Sequence, residues 1–271
     1  MTEKKAPVFF TIAALRHGPI PAFGDTYWPR LHDELRKKGY SGNIQMDDAS
    51  IQLHNNPGGV LQPEVKERSW TVFTPGREHA YSFSDSGIFS FHTSQYTTRQ
   101  DLFAQFRAGL EVLHKHVELQ TYTSVGVRML DLVRPSDTEQ EFSDYIQPSL
   151  LGFTALDHVR DWKYEATSLH QRYIDGDAEV VARFDCLPKS FGIQLELFQA
   201  VQGHALPEFL TSAHGRPHGI LDIDSHTNGQ QPKAFDVDAV MVSLAEHKNR
   251  ISDTFYASTT PTAHAIWGLK S

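Results

Sequence analysis

The sequence predicts an α+β protein, a mainly antiparallel sheet or pair of sheets with amphipathic helices packed on one face. Three observations carry this. Short apolar or alternating runs recur along the chain and are joined by polar links such as PGRE at 75–78, DSG at 85–87 and DG at 175–176, which are hairpin signals. In each half several of these strands are followed by a long amphipathic helix. In each half, too, the last strand before that helix ends in His-Thr, at 92–93 and 226–227. This likeness of element order points to a pseudo-duplicated architecture, with α+β lobes at 1–135 and 136–271 or one continuous domain spanning both.

PVFFTIAALR, from Pro7 to Arg16, is apolar and bounded by the turn chemistry HGPIPAFGD, and reads as a buried strand. DTYWPRLHDELRKKGY follows as a helix: Asp25 or Thr26 caps it, Pro29 stands in the first turn, Trp28, Leu31 and Leu35 share a face, and Gly39 stops it. From Asp47 to Glu67 the chain turns polar, with NNPGG at 55–59, and reads as a long excursion or hairpin tip. Strands follow at 69–75, 79–85 and 87–96. A helix then opens on a capping box of Thr97 and Gln100 and carries an apolar stripe through Leu102, Phe106, Leu110, Leu113 and Val117.

TYTSVGVRMLDLV, at 121–133, is a strand apolar on both faces, and Ser136 with Glu139 opens a short helix. Further strands are expected at 168–175, 178–187, 191–201 and 219–226. A long helix capped by Asp236 and a short one with Pro261 at its first position close the chain.

Composition excludes several trades. Across 271 residues, 33 acids face 25 Lys plus Arg, a formal charge of −8, and no run of five or six basic residues occurs. Nucleic-acid affinity rests on basic groups that displace counterions, so a dedicated DNA or RNA binder is disfavoured. Arg36, Lys37 and Lys38 read instead as the cationic last turn of a helix. Protonating all 15 histidines would carry the formal charge from −8 to +7, so mild acid should alter the electrostatics strongly. The single cysteine, Cys186, excludes an internal disulfide and a cysteine-based metal site, and reads as a small core residue. With no apolar signal core at MTEKKAPVFF and no run of 18 apolar residues, the chain is expected to be cytoplasmic and not membrane-bound.

No nucleophile elbow, P-loop, dinucleotide fingerprint, H-E-x-x-H or EF-hand loop occurs, so no catalytic residue or cofactor is assigned and the sequence points away from an enzyme. The stretch HGRPHGILDIDSH, from His214 to His226, stands out nonetheless. In ILDIDSH the alternation puts Asp222, Asp224 and His226 on one strand face, and His214 and His218 could reach it from the preceding loop. Such a group could bind a divalent cation or serve as an acid and base pair. The same letters also describe the wet face of an antiparallel sheet, so no metal is assigned and stoichiometric zinc is not expected. Arg128 shares a strand face with Leu130 and Leu132, which requires a carboxylate partner, Asp222 or Asp224, a ligand, or an escape to solvent. Arg128, Asp222, Asp224, His226, His214 and His218 are therefore the candidate ligand- or partner-binding residues.

The landmarks IPAF (20–23), LRKKGY (35–40), SW (69–70), TSQY (93–96), VGVRMLDLV (125–133), LDID (221–224), SLAEHKNRISDTF (243–255) and WG (267–268) span essentially the whole chain. In their order the sequence resembles a sporadically distributed bacterial protein family of similar length and unassigned function. Where members look like R-x-G-L-R-Y-x-N, this chain reads SVGVRMLD, keeping Gly126 and Arg128 and replacing the aromatic and the amide. Patchy distribution implies a gene carried on mobile islands, such as a defence or toxin-neutralising component. An acidic surface with abundant aromatics fits a protein partner, and self-association is compatible with it. The expected function is therefore non-enzymatic protein binding, with a metal-assisted enzyme or small-ligand binder centred on Asp222, Asp224 and His226 as the alternative.

Overall fold

The computed structural model describes residues 7–50, 65–135, 140–152, 166–186, 201, 203–208, 218–229 and 231–269, with backbone alone at 43–50 and 65–67. Strand β1 (Val8–His17) leads through a π turn at Phe23–Tyr27 into α1 (Trp28–Lys37). Then come β2 (Gly42–Ser50), β3 (Val65–Phe73), β4 (His79–Ser84), β5 (Ile88–Thr93) and α2 (Arg99–Val117). The second half runs β6 (Thr121–Val133), β7 (Thr167–Asp175), β8 (Ala178–Cys186), β9 (Gly219–Thr227), β10 (Lys233–Ala234), α3 (Val237–Ser258) and α4 (Pro261–Ile266).

Strands of both halves join one sheet, in the order β2-β3-β4-β5-β1-β6-β9-β8-β7, with the short β10 also on β6. Every pairing is antiparallel. With β6 counted among the strands that follow it, and the edge strand β2 and the short β10 set aside, the described strands on the two sides of the central β1–β6 pair have the same connectivity: the first strand, then the last, then the two before it. A two-fold axis through the Ala13–Val127 pair carries His92-Thr93 onto His226-Thr227, because Ile12 pairs with His92 as Gly126 pairs with His226.

Alternation on the strands sends one set of side chains to the helices. Leu15, Phe89, Phe91, Val125, Leu221 and Ile223 meet Phe106, Leu110, Leu244 and Ile251 in the main core, where Cys186 is also buried. Burying each large apolar side chain contributes about 1.5–3 kcal/mol, so this layer dominates the fold's stability. α2 packs on β5 and α3 on β6, β8 and β9. His247 pins α3 to β9, with Nδ1 2.9 Å from Ser225 Oγ and Nε2 3.0 Å from Thr227 Oγ1. At one end of the opposite face, Phe9, Phe10, Leu130, Leu132, Ile220 and Val201 form a second, smaller core. No helix among the described residues is long and apolar enough to cross a membrane.

The structure differs from the sequence reading in four local places. α2 is capped by Thr98, which accepts from the Asp101 amide, and not by a Thr97–Gln100 box. Asp101 draws both threonine hydroxyls to its carboxylate, which makes Thr98 the better-placed cap. α1 is entered through the π turn and has no side-chain cap from Asp25 or Thr26. β2 begins at Gly42, ahead of the polar stretch read as a long excursion or hairpin tip, and the two ends of that stretch are the paired arms of β2 and β3, as the hairpin alternative has it. A capping box does follow β6, formed by Glu141 and Asp144, while Ser136 and Glu139 lie outside the described residues. So does the strand expected at 191–201, apart from Val201.

Candidate binding cleft

The sheet face opposite α2 and α3 is built in rows that follow from strand register. One row holds Leu130, Asp222 and Arg183, and the next holds His92, Ile12, Arg128 and Asp224. A third holds Ser90, Ala14, Gly126 and His226, and a fourth Ile88, Arg16 and Ser124. The third row is made of small side chains until it reaches His226, while long ones stand on both sides. It is a trough across the strands, and it opens a cleft of about 710 Å³.

Gly126 keeps the floor of that trough low. A Cβ placed there would lie 2.6 Å from the His226 Cβ and 3.1 Å from the Ser225 carbonyl oxygen, so β6 and β9 approach this closely because position 126 carries none. Ala14 and Ser90 continue the floor onto β1 and β5.

Beside the trough lies a buried ion cluster. Arg128 Nε donates to Asp222 Oδ1 at 2.8 Å and Nη2 to Oδ2 at 2.6 Å, and Arg183 Nη1 reaches Oδ2 at 3.3 Å. The Asp222 side chain is 4 % exposed and the two arginines 11 and 12 %. A carboxylate this deep is tolerable only when paired, and a forked guanidinium supplies the strongest pairing available. Asp222 is thus one of the two partners read from the sequence for Arg128, and its oxygens are committed to two guanidinium groups.

His226 and Asp224 stand at the cleft itself, with Nδ1 3.4 Å from Asp224 Oδ2 and Nε2 4.0 Å from Glu179 Oε2. The Asp224 carboxylate raises the His226 imidazole above its ordinary range; burial works against this and Glu179 adds to it. Glu179 is itself held by Arg172 at 2.5 and 2.6 Å.

Of the residues singled out from sequence, the cleft is lined by Arg128, Asp224 and His226, with Asp222 tied beneath it. His218 is buried just before β9, about 27 Å along the strand from His226 at 3.4 Å per residue. His92 is buried at the flank, its Nε2 2.8 Å from Ser90 Oγ, and His214 lies outside the described residues. Among the described residues no three His, Cys, Asp or Glu side chains are grouped to hold a metal ion. Arg16, Arg183, Glu179 and the small-residue row escape sequence reasoning, since β1, β5 and β8 are far apart in sequence from β6 and β9 and only register aligns them. Comparison with protein-family models, with curated proteins and with solved structures finds no match to this chain.

Proposed function

We propose that this chain is a cytoplasmic, non-enzymatic binding protein that takes hold of another protein through the cleft on the open face of its sheet, in the setting of a bacterial defence or toxin-neutralising module. The trough carries the reading. It is a preformed depression with a small-residue floor and charged walls, of a size within the roughly 300–1,000 Å³ of ordinary binding pockets. The committed state of Asp222 favours binding over the metal-assisted alternative. A carboxylate clamped by two guanidinium groups is a poor cation ligand, and without it Asp224 and His226 form a pair instead of a triad. The defence setting is supported by the resemblance in landmark order.

The test is affinity capture from the native host with the intact chain and with Ala14→Trp, which fills the trough from its floor. Ser90 and Gly126 flank Ala14 and leave the indole room to lie flat, so the variant is expected to fold with an unchanged circular dichroism spectrum. One protein is expected to be retained by the intact chain and lost from the variant. Retention by both, or capture of none, overturns the reading.

A further inference from the structure

We infer that His92 and His204 form a two-coordinate site for a soft monovalent cation, cuprous copper. The site is independent of any partner held in the trough. His92 and His204 are only 8 and 7 % exposed, yet His92 Nδ1 and His204 Nε2 are buried with no hydrogen-bond partner. A polar atom left bare in a native interior forfeits the bond it makes in water, and such atoms mark strain, chemistry or the place of a water or ion. Here two of them belong to neighbouring rings, whose centres are 6.0 Å apart.

The bare nitrogens face each other. His92 Nε2 lies 2.8 Å from the hydroxyl of Ser90, two residues earlier on β5. His204 Nδ1 donates at 3.3 Å to the Glu78 carbonyl, which also accepts the amide of Ser94, two residues beyond His92. The hydrogen-bonded nitrogens thus point outward along the line of β5 in opposite directions, which turns the others inward. A carbonyl partner fixes the His204 tautomer with its lone pair on Nε2, and donation to Ser90 Oγ does the same for Nδ1 of His92. An outward N–H held by an oxygen while the inner nitrogen is bare is the arrangement of metal-ligating histidines. Metal–nitrogen distances of about 2.0–2.1 Å set the centres of two imidazoles on one ion roughly 5–6.5 Å apart, which brackets the observed separation.

The pair is held in place before anything binds. Phe10 and Phe73 meet the His204 ring edge-on, with centroids at 4.9 and 5.1 Å. The chain around it is tied to the β4 and β5 ends by Arg77 Nε to the Gly203 carbonyl at 2.8 Å and Ser94 Oγ to the Ala205 carbonyl at 2.6 Å. Burial pushes His92 down to about 3 and His204 to about 4, so both rings are neutral and able to ligate at neutral pH. Among the described residues no third His, Cys, Asp or Glu is grouped with them, so the protein supplies two neutral donors and no negative charge. The cost of burying an ion grows with the square of its charge, so this apolar setting favours a monovalent ion over a divalent one. Copper suits imidazole, and its cuprous form accepts two ligands in a nearly linear arrangement.

The test titrates the intact chain, under argon with ascorbate, against the coloured cuprous complex of bicinchoninate. One equivalent of copper per chain should pass to the protein. His92→Phe and His204→Phe keep an aromatic ring and remove the lone pair, so each should fold with a native circular dichroism spectrum and bind at least about tenfold more weakly. Ser90→Ala, which removes only the hydrogen bond to His92, should weaken binding by roughly tenfold, while His170→Gln, on the exposed strand β7, should bind as the native chain does. X-ray absorption of the copper-loaded intact chain requires no variant, and it should show two imidazole nitrogens and no sulfur. No copper transferred, equal affinity in the intact chain and both phenylalanine variants, or sulfur at the copper overturns the inference. One equivalent of zinc held as tightly overturns the choice of a monovalent ion, and with it the two-coordinate site.

Discussion

Asp222 illustrates how one side chain's surroundings decide what it can do. At 4 % exposure its charge is stabilised by Arg128 through two hydrogen bonds and by Arg183 through one longer contact. Removing it takes away the forked hydrogen bonds of Arg128 and the contact of Arg183 in a buried setting. Asp222→Ala is therefore expected to cost about 3–5 kcal/mol, whereas Arg183→Met, which leaves the forked Arg128 pair intact, should cost less than about 2 kcal/mol. Urea unfolding of the two variants checks the order, and equal losses would remove the asymmetry argued from the hydrogen-bond geometry. Half of this cluster is readable from the sequence, since Arg128 on an apolar strand face demands a carboxylate and the Asp222 alternation offers one. Arg183 is not, because VVARFD looks like any half-buried strand until β8 is known to pair with β9.

At the scale of elements, apolar periodicity locates most strands and helices, and β6 is read from its first residue to its last. β2 escapes because GNIQMDDAS offers only Ile44 and Met46 as an apolar alternation, too short a run to mark a strand before its pairing with β3 at the sheet's edge is known. The opposite lesson comes from α2. Gly109 lies within that helix, where alanine is intrinsically better by about 1 kcal/mol. A Cβ at this position would stand 2.3 Å from the Tyr81 ring, which is fully buried and donates its hydroxyl hydrogen to the Gln105 carbonyl at 2.6 Å. The clash outweighs the propensity gain. Gly109→Ala is expected to destabilise by about 1–3 kcal/mol. A thermal scan showing the variant more stable than the native chain would mean that α2 shifts away from β5 at little cost.

Across the whole molecule, burial acts on six described histidines of the 15, and this tempers the simple titration expected from composition. His17, His79, His92, His204, His247 and His264 are all held below the ordinary imidazole range, each chiefly by burial. The charge gained in mild acid is therefore smaller than the swing from −8 to +7 that composition alone allows. The same burial sets how stability depends on pH. His92 is lowered to about 3, and His204 and His247 to about 4, so between those values and 6.5 the unfolded chain binds more protons than the folded one. Their contribution is whole above pH 6.5 and is lost on acidification. Asp131 has the opposite sign. Burial on the helix side of β6 raises it to about 7, against the pull of Lys248, so its contribution is whole below its unfolded value of 3.8 and is lost as pH rises through 7. Three histidines outweigh one aspartate, and the native chain should lose stability from pH 6.5 to pH 5. Asp131→Asn removes the counterweight: relative to the native chain it should gain roughly 1–3 kcal/mol between pH 5 and pH 8, at about 1.4 kcal/mol per pH unit in the titrating range, and lose stability more steeply on acidification. Melting temperatures of both proteins at half-unit steps from pH 5 to pH 8 measure this difference. A constant offset between the two curves would show that Asp131 stays ionised in the folded interior over that range, as it is in the unfolded chain.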